Sequence, residues 1–293
     1  MADERPTWTI RGLLDWTVNF LKSKGIESAG LEARILLAHA LRCKQIELFT
    51  RADEVPDEDG RARFRELVRR RVERCPVAYL VGVKEFYKLE FEVTPAVLIP
   101  RPETELLVME CLRLLPKDRP AKVLDLGTGS GAIAVSVAQQ RPLAEATATD
   151  LSPDALAVAR RNAERHKLAG RIRFLEGDLF DAVPAGERFD FLLSNPPYIA
   201  AAELPSLAPE VRDHEPRLAV DGGPSGLAVY ERIAARAGEF LQPGGHLLLE
   251  IAATQGEAVR GLLEARGGFA VGPTLTDGAG LPRVVVARAA VSG

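Results

Sequence analysis

Val123-Leu124-Asp125-Leu126-Gly127-Thr128-Gly129-Ser130-Gly131-Ala132 is the stretch that decides the fold. Its apolar start reads as a buried strand, the glycines as a turn and Ala132 as the beginning of a helix. Glycine accepts positive φ and lets the backbone approach a ligand closely, so such a turn suits a bound cofactor. The next strand candidate, 144–150, ends in Asp150, a carboxylate placed to accept both hydroxyls of a ribose.

From about residue 103 onward, strand and helix signals alternate around that unit. Strands are predicted at 122–126, 144–150, 171–175, 189–194 and 246–251, with helices such as 154–166 and 227–240 between them. That order argues a parallel sheet with helices on both faces. Two last candidates, 269–275 and 284–289, are joined by Asp277-Gly278-Ala279-Gly280 and predict a closing antiparallel hairpin.

The first 75 residues follow a different rule. Ile10, Leu13, Leu14, Thr17, Val18 and Leu21 share a helical face, as do Leu31, Ile35, Ala38 and Leu41, and again Phe64, Leu67, Val68 and Val72. A small helical bundle is expected, with His39 packed or at the surface rather than catalytic. Arg61, Arg63, Arg65, Arg69, Arg70, Arg71 and Arg74 read as a solvated face balanced by Glu66 and Glu73, with a docking surface as the second reading. Between bundle and sheet, Tyr87, Leu89, Phe91 and Val93 alternate with polar residues. With Tyr79-Leu80-Val81-Gly82-Val83 before them they predict a β-hairpin linker. The expected division is 1–75 helical, 76–102 linker and 103–293 catalytic.

Bulk properties narrow the classes. The 293 residues are 46% hydrophobic and 27% charged, an ordinary soluble balance, and no apolar run reaches membrane-spanning length. Met1-Ala2-Asp3-Glu4-Arg5-Pro6 lacks the pattern of a secretion signal. Cys43, Cys75 and Cys111 stand far apart, which argues against a disulfide framework or metal site and for a reducing cytoplasm. Net charge is −3; residues 1–75 hold 15 Lys+Arg against 13 Asp+Glu, so the catalytic part is net acidic and gives no drive toward nucleic acid.

The glycine turn formally satisfies the dinucleotide pattern through Gly127, Gly129 and Ala132. Asp125, two residues before the first glycine, suits a cationic group better than a pyrophosphate. The third strand also ends in acids, Glu176-Gly177-Asp178-Leu179, where Asp178 can accept from an adenine amine. An ammonium-bearing sulfonium nucleoside explains both acids and a dinucleotide explains neither, so S-adenosylmethionine is favoured over a nicotinamide cofactor.

The strand 189–194 runs into Asn195-Pro196-Pro197-Tyr198. Asn195 supplies a side-chain carbonyl, and Pro196 a rigid backbone carbonyl with no competing N–H. Two fixed acceptors beside the ring of Tyr198 suit a planar NH2 group, either an amide or a nucleobase amine.

These motifs stand in chain order and resemble the class I methyltransferases that modify planar amino groups. Further segments tighten the likeness: Pro76–Gly82, Phe86–Phe91, Val97–Glu105, Glu215–Gly223 and Pro243-Gly244-Gly245. Together they resemble the bacterial protein-(glutamine-N5) methyltransferases that act on peptide chain release factors, over residues 76 to the C-terminus. The resemblance implies a Rossmann-like, mostly parallel seven-stranded sheet with an antiparallel last strand, preceded by a helical bundle that docks the protein substrate.

It also implies methylation of the glutamine in a release factor's Gly-Gly-Gln loop, with S-adenosylhomocysteine as product and no metal, by a cytoplasmic monomer. By position, Gly127, Thr128, Gly129, Ser130 and Gly131 would cradle the cofactor's methionine part, with Asp125 near its ammonium. Asp150 would hold the ribose, Asp178 and Leu179 would border the adenine, and Asn195, Pro196, Pro197 and Tyr198 would form the glutamine pocket. Two positions depart from the family pattern: Ala252 stands for a usual glycine and Ser225 for a usual acid.

Other readings are a ribosomal-protein glutamine as acceptor, a nucleic-acid amine, a non-catalytic S-adenosylmethionine-binding module, and an oxidoreductase. The long connection 199–224 is expected to shape the acceptor entrance. Arg101 and Glu103 either face the same site or form a structural ion pair.

Overall fold

The computed structural model describes residues 8–291, so the Met1–Pro6 segment lies outside the described residues. The chain clusters into two compact units, one of Met1–Gly82 with Pro209–His214, the other of Val83–Ala208 with Glu215–Gly293.

The first unit contains α1 (Ile10–Ser23), α2 (Ala29–Leu41), α3 (Glu47–Thr50), α4 (Glu58–Val72) and α5 (Val77–Val81). Thr9 and Asp57 cap α1 and α4 by accepting the N–H of Gly12 and Gly60. Ile10, Leu21, Leu36, Leu37, Phe64 and Val68 form the buried interior. His39 is exposed. The arginine face is only partly solvated. Arg69 pairs with Glu66 and Glu73 at the surface, but Arg71 is buried and binds Glu32 at 2.6 Å and Glu210 at 3.0 Å.

The expected strand through Tyr79–Val81 is instead α5. Pro76 at its N-cap and left-handed Gly82 at its C-cap enclose one helical turn, overriding the β-branched residues. The hairpin forms later, as β1 (Val83–Phe86) and β2 (Leu89–Glu92), across a two-residue turn in which Tyr87 and Lys88 both have positive φ.

The second unit continues with α6 (Thr104–Leu114), β3 (Ala121–Leu126), α7 (Ala132–Gln140), β4 (Ala144–Asp150), α8 (Pro153–Arg165), β5 (Ile172–Glu176) and β6 (Phe189–Ser194). The one-turn α9 (Pro209–Arg212) clusters with the first unit. Then follow α10 (Ala228–Phe240), β7 (Leu241–Glu250), α11 (Gly256–Arg266), β8 (Phe269–Val271), β9 (Leu275–Thr276) and β10 (Pro282–Ala289). The sheet order is β5-β4-β3-β6-β7-β10-β8, with β9 paired to β10. Pairs among β3, β4, β5, β6 and β7 are parallel, whereas β10 runs antiparallel to β7 and β8. The single strand expected over 269–275 is interrupted because Pro273 has no N–H for a ladder bond.

Alternate residues of each strand serve opposite faces. Val123, Phe191, Leu193 and Leu248 join a core with α6 and α7 residues, while Leu124, Leu192, Leu247 and Leu249 join Tyr230 and Ile233 of α10 and Val259 and Leu263 of α11. A strand covered on both faces is apolar throughout, hence the unbroken runs in the sequence. From β3 the chain steps outward through β4 and β5, then returns to β3's other side as β6. The β3/β6 boundary is therefore the switch point of the sheet, the place where open α/β folds bind ligands.

Candidate active site

A cavity of about 550 Å³ lies at the carboxyl ends of these strands. Gly127, Thr128, Gly129 and Ser130 of the turn after β3 line it, together with Asp150, Asp178, Leu179, Asn195 and Pro197. Asp125, Gly131, Pro196 and Tyr198 are not part of the lining.

The turn offers bare backbone. Gly127 and Gly129 have φ of 68° and 55°, and a Cβ on either would meet no heavy atom within 4 Å. Side chains there would strain the turn and fill ligand space. The Gly129 N–H donates to Asp150 Oδ2 at 2.8 Å, and the Ser152 N–H to Oδ1 at 2.9 Å, so Asp150 ties the turn to the start of α8. Burial nonetheless pushes the Asp150 carboxyl up. From behind, Asn162 on α8 donates to the Ser130 carbonyl at 2.9 Å and accepts the Glu92 N–H of β2 at 2.7 Å.

Asp125 is fully buried. Its Oδ2 accepts the Thr128 hydroxyl at 2.6 Å and the Ala134 N–H at 3.2 Å, while Oδ1 has no partner among the described residues. Burial pushes its pKa to about 7. An under-satisfied carboxylate beneath a bare glycine turn fits a cofactor that brings positive charge to this wall.

At the third strand's end, Asp178 Oδ2 pairs with Arg232 of α10 at 2.7 Å, and Arg232 also lines the cavity. Leu179 is held at φ 51°, a left-handed conformation uncommon for leucine. A lone arginine on a helix gives no motif, so Arg232 was not legible from spacing.

Across the switch point, Asn195 Nδ2 donates to Thr104 Oγ1 of α6 at 3.1 Å. The Tyr198 carbonyl accepts from Gln255 Nε2 at 2.9 Å, and burial pushes the Tyr198 phenol up to about 12. The 199–224 connection returns to this backbone. The Ile199 N–H donates to the Val220 carbonyl at 3.0 Å and the Gly222 N–H to the Ile199 carbonyl at 2.9 Å. A Cβ on Gly222 would lie 2.8 Å from Tyr198 Cα and 2.9 Å from the Pro197 carbonyl oxygen. Pro216, Leu218, Ala219 and Asp221 of the same connection line the cavity.

Arg101 lines the cavity and pairs at 2.5 Å with buried Glu215. Glu103 is not part of the lining. The two departures from the family pattern fall on backbone contacts. The Ala252 N–H donates to Gln255 Oε1 at 3.2 Å, and Ser225 Oγ accepts the Leu227 N–H at 3.3 Å. Thr104, within the Val97–Glu105 stretch, carries no signal of its own in the sequence; in the fold it lines the cavity and faces Asn195.

Known proteins resemble this chain in sequence and in fold. Residues 12–82 match the PrmC N-terminal domain family and residues 103–211 the methyltransferase small domain family. The release factor glutamine methyltransferase of Geobacter sulfurreducens is 46% identical over 289 residues, 98% of this chain and 99% of its own length. That of Rhodopirellula baltica is 45% identical over 282 residues, 95% of each chain. Among solved structures, a methyltransferase from Pyrococcus furiosus superposes with a TM-score of 0.53 at 20% identity, over 71% of this chain and 92% of its own. That similarity is one of fold. Identity near one half along almost the whole length says more: the chain belongs to the release factor glutamine methyltransferase family.

Proposed function

We propose that this protein transfers a methyl group from S-adenosylmethionine to the side-chain amide nitrogen of the glutamine in the Gly-Gly-Gln loop of a peptide chain release factor. The observation that carries the reading is one cavity lined both by the bare glycine turn with Asp150 and by Asn195 of the Asn-Pro-Pro-Tyr segment. When bound, the cofactor supplies an already activated methyl group on a sulfonium.

The protein's task is then to orient a poor nucleophile, because an amide nitrogen shares its lone pair with its carbonyl. Asn195 Oδ1 and the Pro196 carbonyl accept the two N–H bonds of the glutamine amide. They fix the direction of its lone pair and favour the positive charge that develops on the nitrogen. Tyr198, its phenol pushed up to about 12 by burial, stays neutral and is not a base. A glutamate has no N–H to donate and would leave both acceptors unpaired.

Asp150 holds the ribose hydroxyls, Asp178 and Leu179 border the adenine, and residues 127–131 with Asp125 receive the methionine part. The helical unit docks the release factor. There Trp8, Trp16, Phe20 and Phe64 line a second cavity, and Trp16 is half exposed. The working form is a cytoplasmic monomer that needs no metal and contacts no nucleic acid.

Incubation with methyl-labelled S-adenosylmethionine and a release factor, followed by peptide mass spectrometry, places the label on the Gly-Gly-Gln glutamine. A factor whose glutamine is replaced by alanine takes up none. Label on that variant, or on ribosomal protein instead, would refute the assignment.

A further inference from the structure

Glu250 ends β7, one position beyond the Ser194–Leu249 pair of the parallel β6/β7 ladder, which sets it beside Asn195. It is 2% exposed, and its Oε2 has no partner among the described residues. The reaction described above gives it no task. The Thr104 side chain is placed to favour its ionised form, and the same hydroxyl faces Asn195 Nδ2 at 3.1 Å.

A hydroxyl carries one proton, and an ionised carboxylate can only accept. Thr104 therefore donates to Glu250 and has only a lone pair left for Asn195. That lone pair can take an N–H and nothing else, so the Asn195 amide must turn its nitrogen to Thr104 and its oxygen away. We propose that Glu250 and Thr104 are positioning residues that lock the Asn195 amide with its oxygen toward the acceptor pocket. This rests on the glutamine reading of that pocket. With the amide reversed, an NH2 group would face the NH2 of the substrate, and the accepting contact that aims the lone pair would be gone.

The chain has a direction that depends on charge. A protonated Glu250 can donate to Thr104, releasing the threonine proton to Asn195 Oδ1 and reversing the amide. Glu250 is faced by Glu103 beside α6, Arg101 before it, Arg283 on β10, Tyr198 after β6 and Tyr230 on α10. The Tyr230 hydroxyl is engaged with the Glu250 backbone carbonyl at 2.7 Å rather than with the carboxylate. Burial outweighs the two arginines and pushes Glu250 to about 7. Loss of activity on the acid side of about pH 7 follows.

The test compares wild type, Asn195→Ala, Thr104→Val, Thr104→Ser and Glu250→Gln with a release factor as acceptor. It records kcat, KM, cofactor affinity by titration, thermal midpoint and pH profile. Thr104→Val is expected to lower kcat about tenfold, the effect of one lost hydrogen bond, with cofactor affinity and midpoint near wild type. Thr104→Ser recovers most of the loss. Because Thr104 acts through Asn195, Thr104→Val adds little to Asn195→Ala. Glu250→Gln flattens the acid limb.

The proposal is overturned if Thr104→Val keeps wild-type kcat, or if kcat, affinity and midpoint fall together. It is also overturned if the acid limb survives in Glu250→Gln, which would assign that limb to Asp125. Wild type that leaves glutamine unmethylated would instead refute the functional reading beneath it.

Discussion

On the proposed function, the two sides of the switch point hold their ligands by different means. On the cofactor side, Gly127–Gly131 and Asp150 work through local geometry: glycines at positive φ, and backbone N–H groups of Gly129 and Ser152 on one carboxylate. On the acceptor side nothing is local. Asn195 is held by Thr104, the Tyr198 carbonyl by Gln255, and the Pro197–Tyr198 backbone is pressed by Gly222. A cofactor's shape can be met by one short loop, whereas a small amide must be aimed, and aiming takes contacts from several directions.

If that division is right, substitutions on the two sides separate binding from chemistry. The largest effect is expected at Asn195→Ala: methyl transfer falls roughly 100-fold while cofactor affinity stays near wild type. Rapid-quench transfer rates beside calorimetric titration measure the two quantities. Equal losses in both would erase the distinction. Asp150→Ala is the mirror case. Losing a charged acceptor for ribose is expected to weaken S-adenosylmethionine roughly tenfold or more, with transfer at saturating cofactor changed far less.

The same contrast explains what the sequence discloses. The cofactor turn and Asp150 lie within 28 residues, so their spacing alone predicted strand, turn, helix and acid. The Asn-Pro-Pro-Tyr segment reads in the sequence as a pair of acceptors, but its supports do not show there. Thr104 lies 91 residues away in sequence from Asn195, and neither a threonine nor a glycine announces what it will touch. Arg71 was lost in a charged run for a similar reason: only folding sets it against Glu32 and Glu210. The α5 turn departs from the expected strand because Pro76 and Gly82 enclose one helical turn there, which the apolar run Tyr79–Val81 does not disclose.

A smaller effect tests whether the acceptor side depends on distant packing. Gly222→Ala places a methyl group against the Tyr198 backbone, which has no rotamer with which to yield. The chain must shift, at an expected cost of about 1–3 kcal/mol in stability. Methyl transfer is expected to suffer more than cofactor affinity, because the displaced atoms belong to the acceptor wall. Chemical denaturation and the two activity measurements on one preparation decide it. An unchanged transfer rate would mean that the wall tolerates movement and that the pressing contact has no role in aiming.

The last test lies in the pH dependence of stability, where each side contributes one buried carboxyl. Burial raises Asp125 and Glu250 to about 7, above the values of an unfolded chain. The folded protein therefore keeps protons that the unfolded chain has released. The stability that these protons contribute is complete below the unfolded values and is lost as pH rises through about 7. The thermal midpoint of the cofactor-free protein should fall between about pH 5 and about pH 8.

S-adenosylmethionine stabilises at every pH by mass action, so the informative quantity is the slope rather than the midpoint. Positive charge near the glycine turn eases ionisation of Asp125 and should flatten its share of the slope. Glu250, across the switch point, should keep its own share until Glu250→Gln removes it. A cofactor that abolished the whole slope would show the two sides to be one electrostatic site.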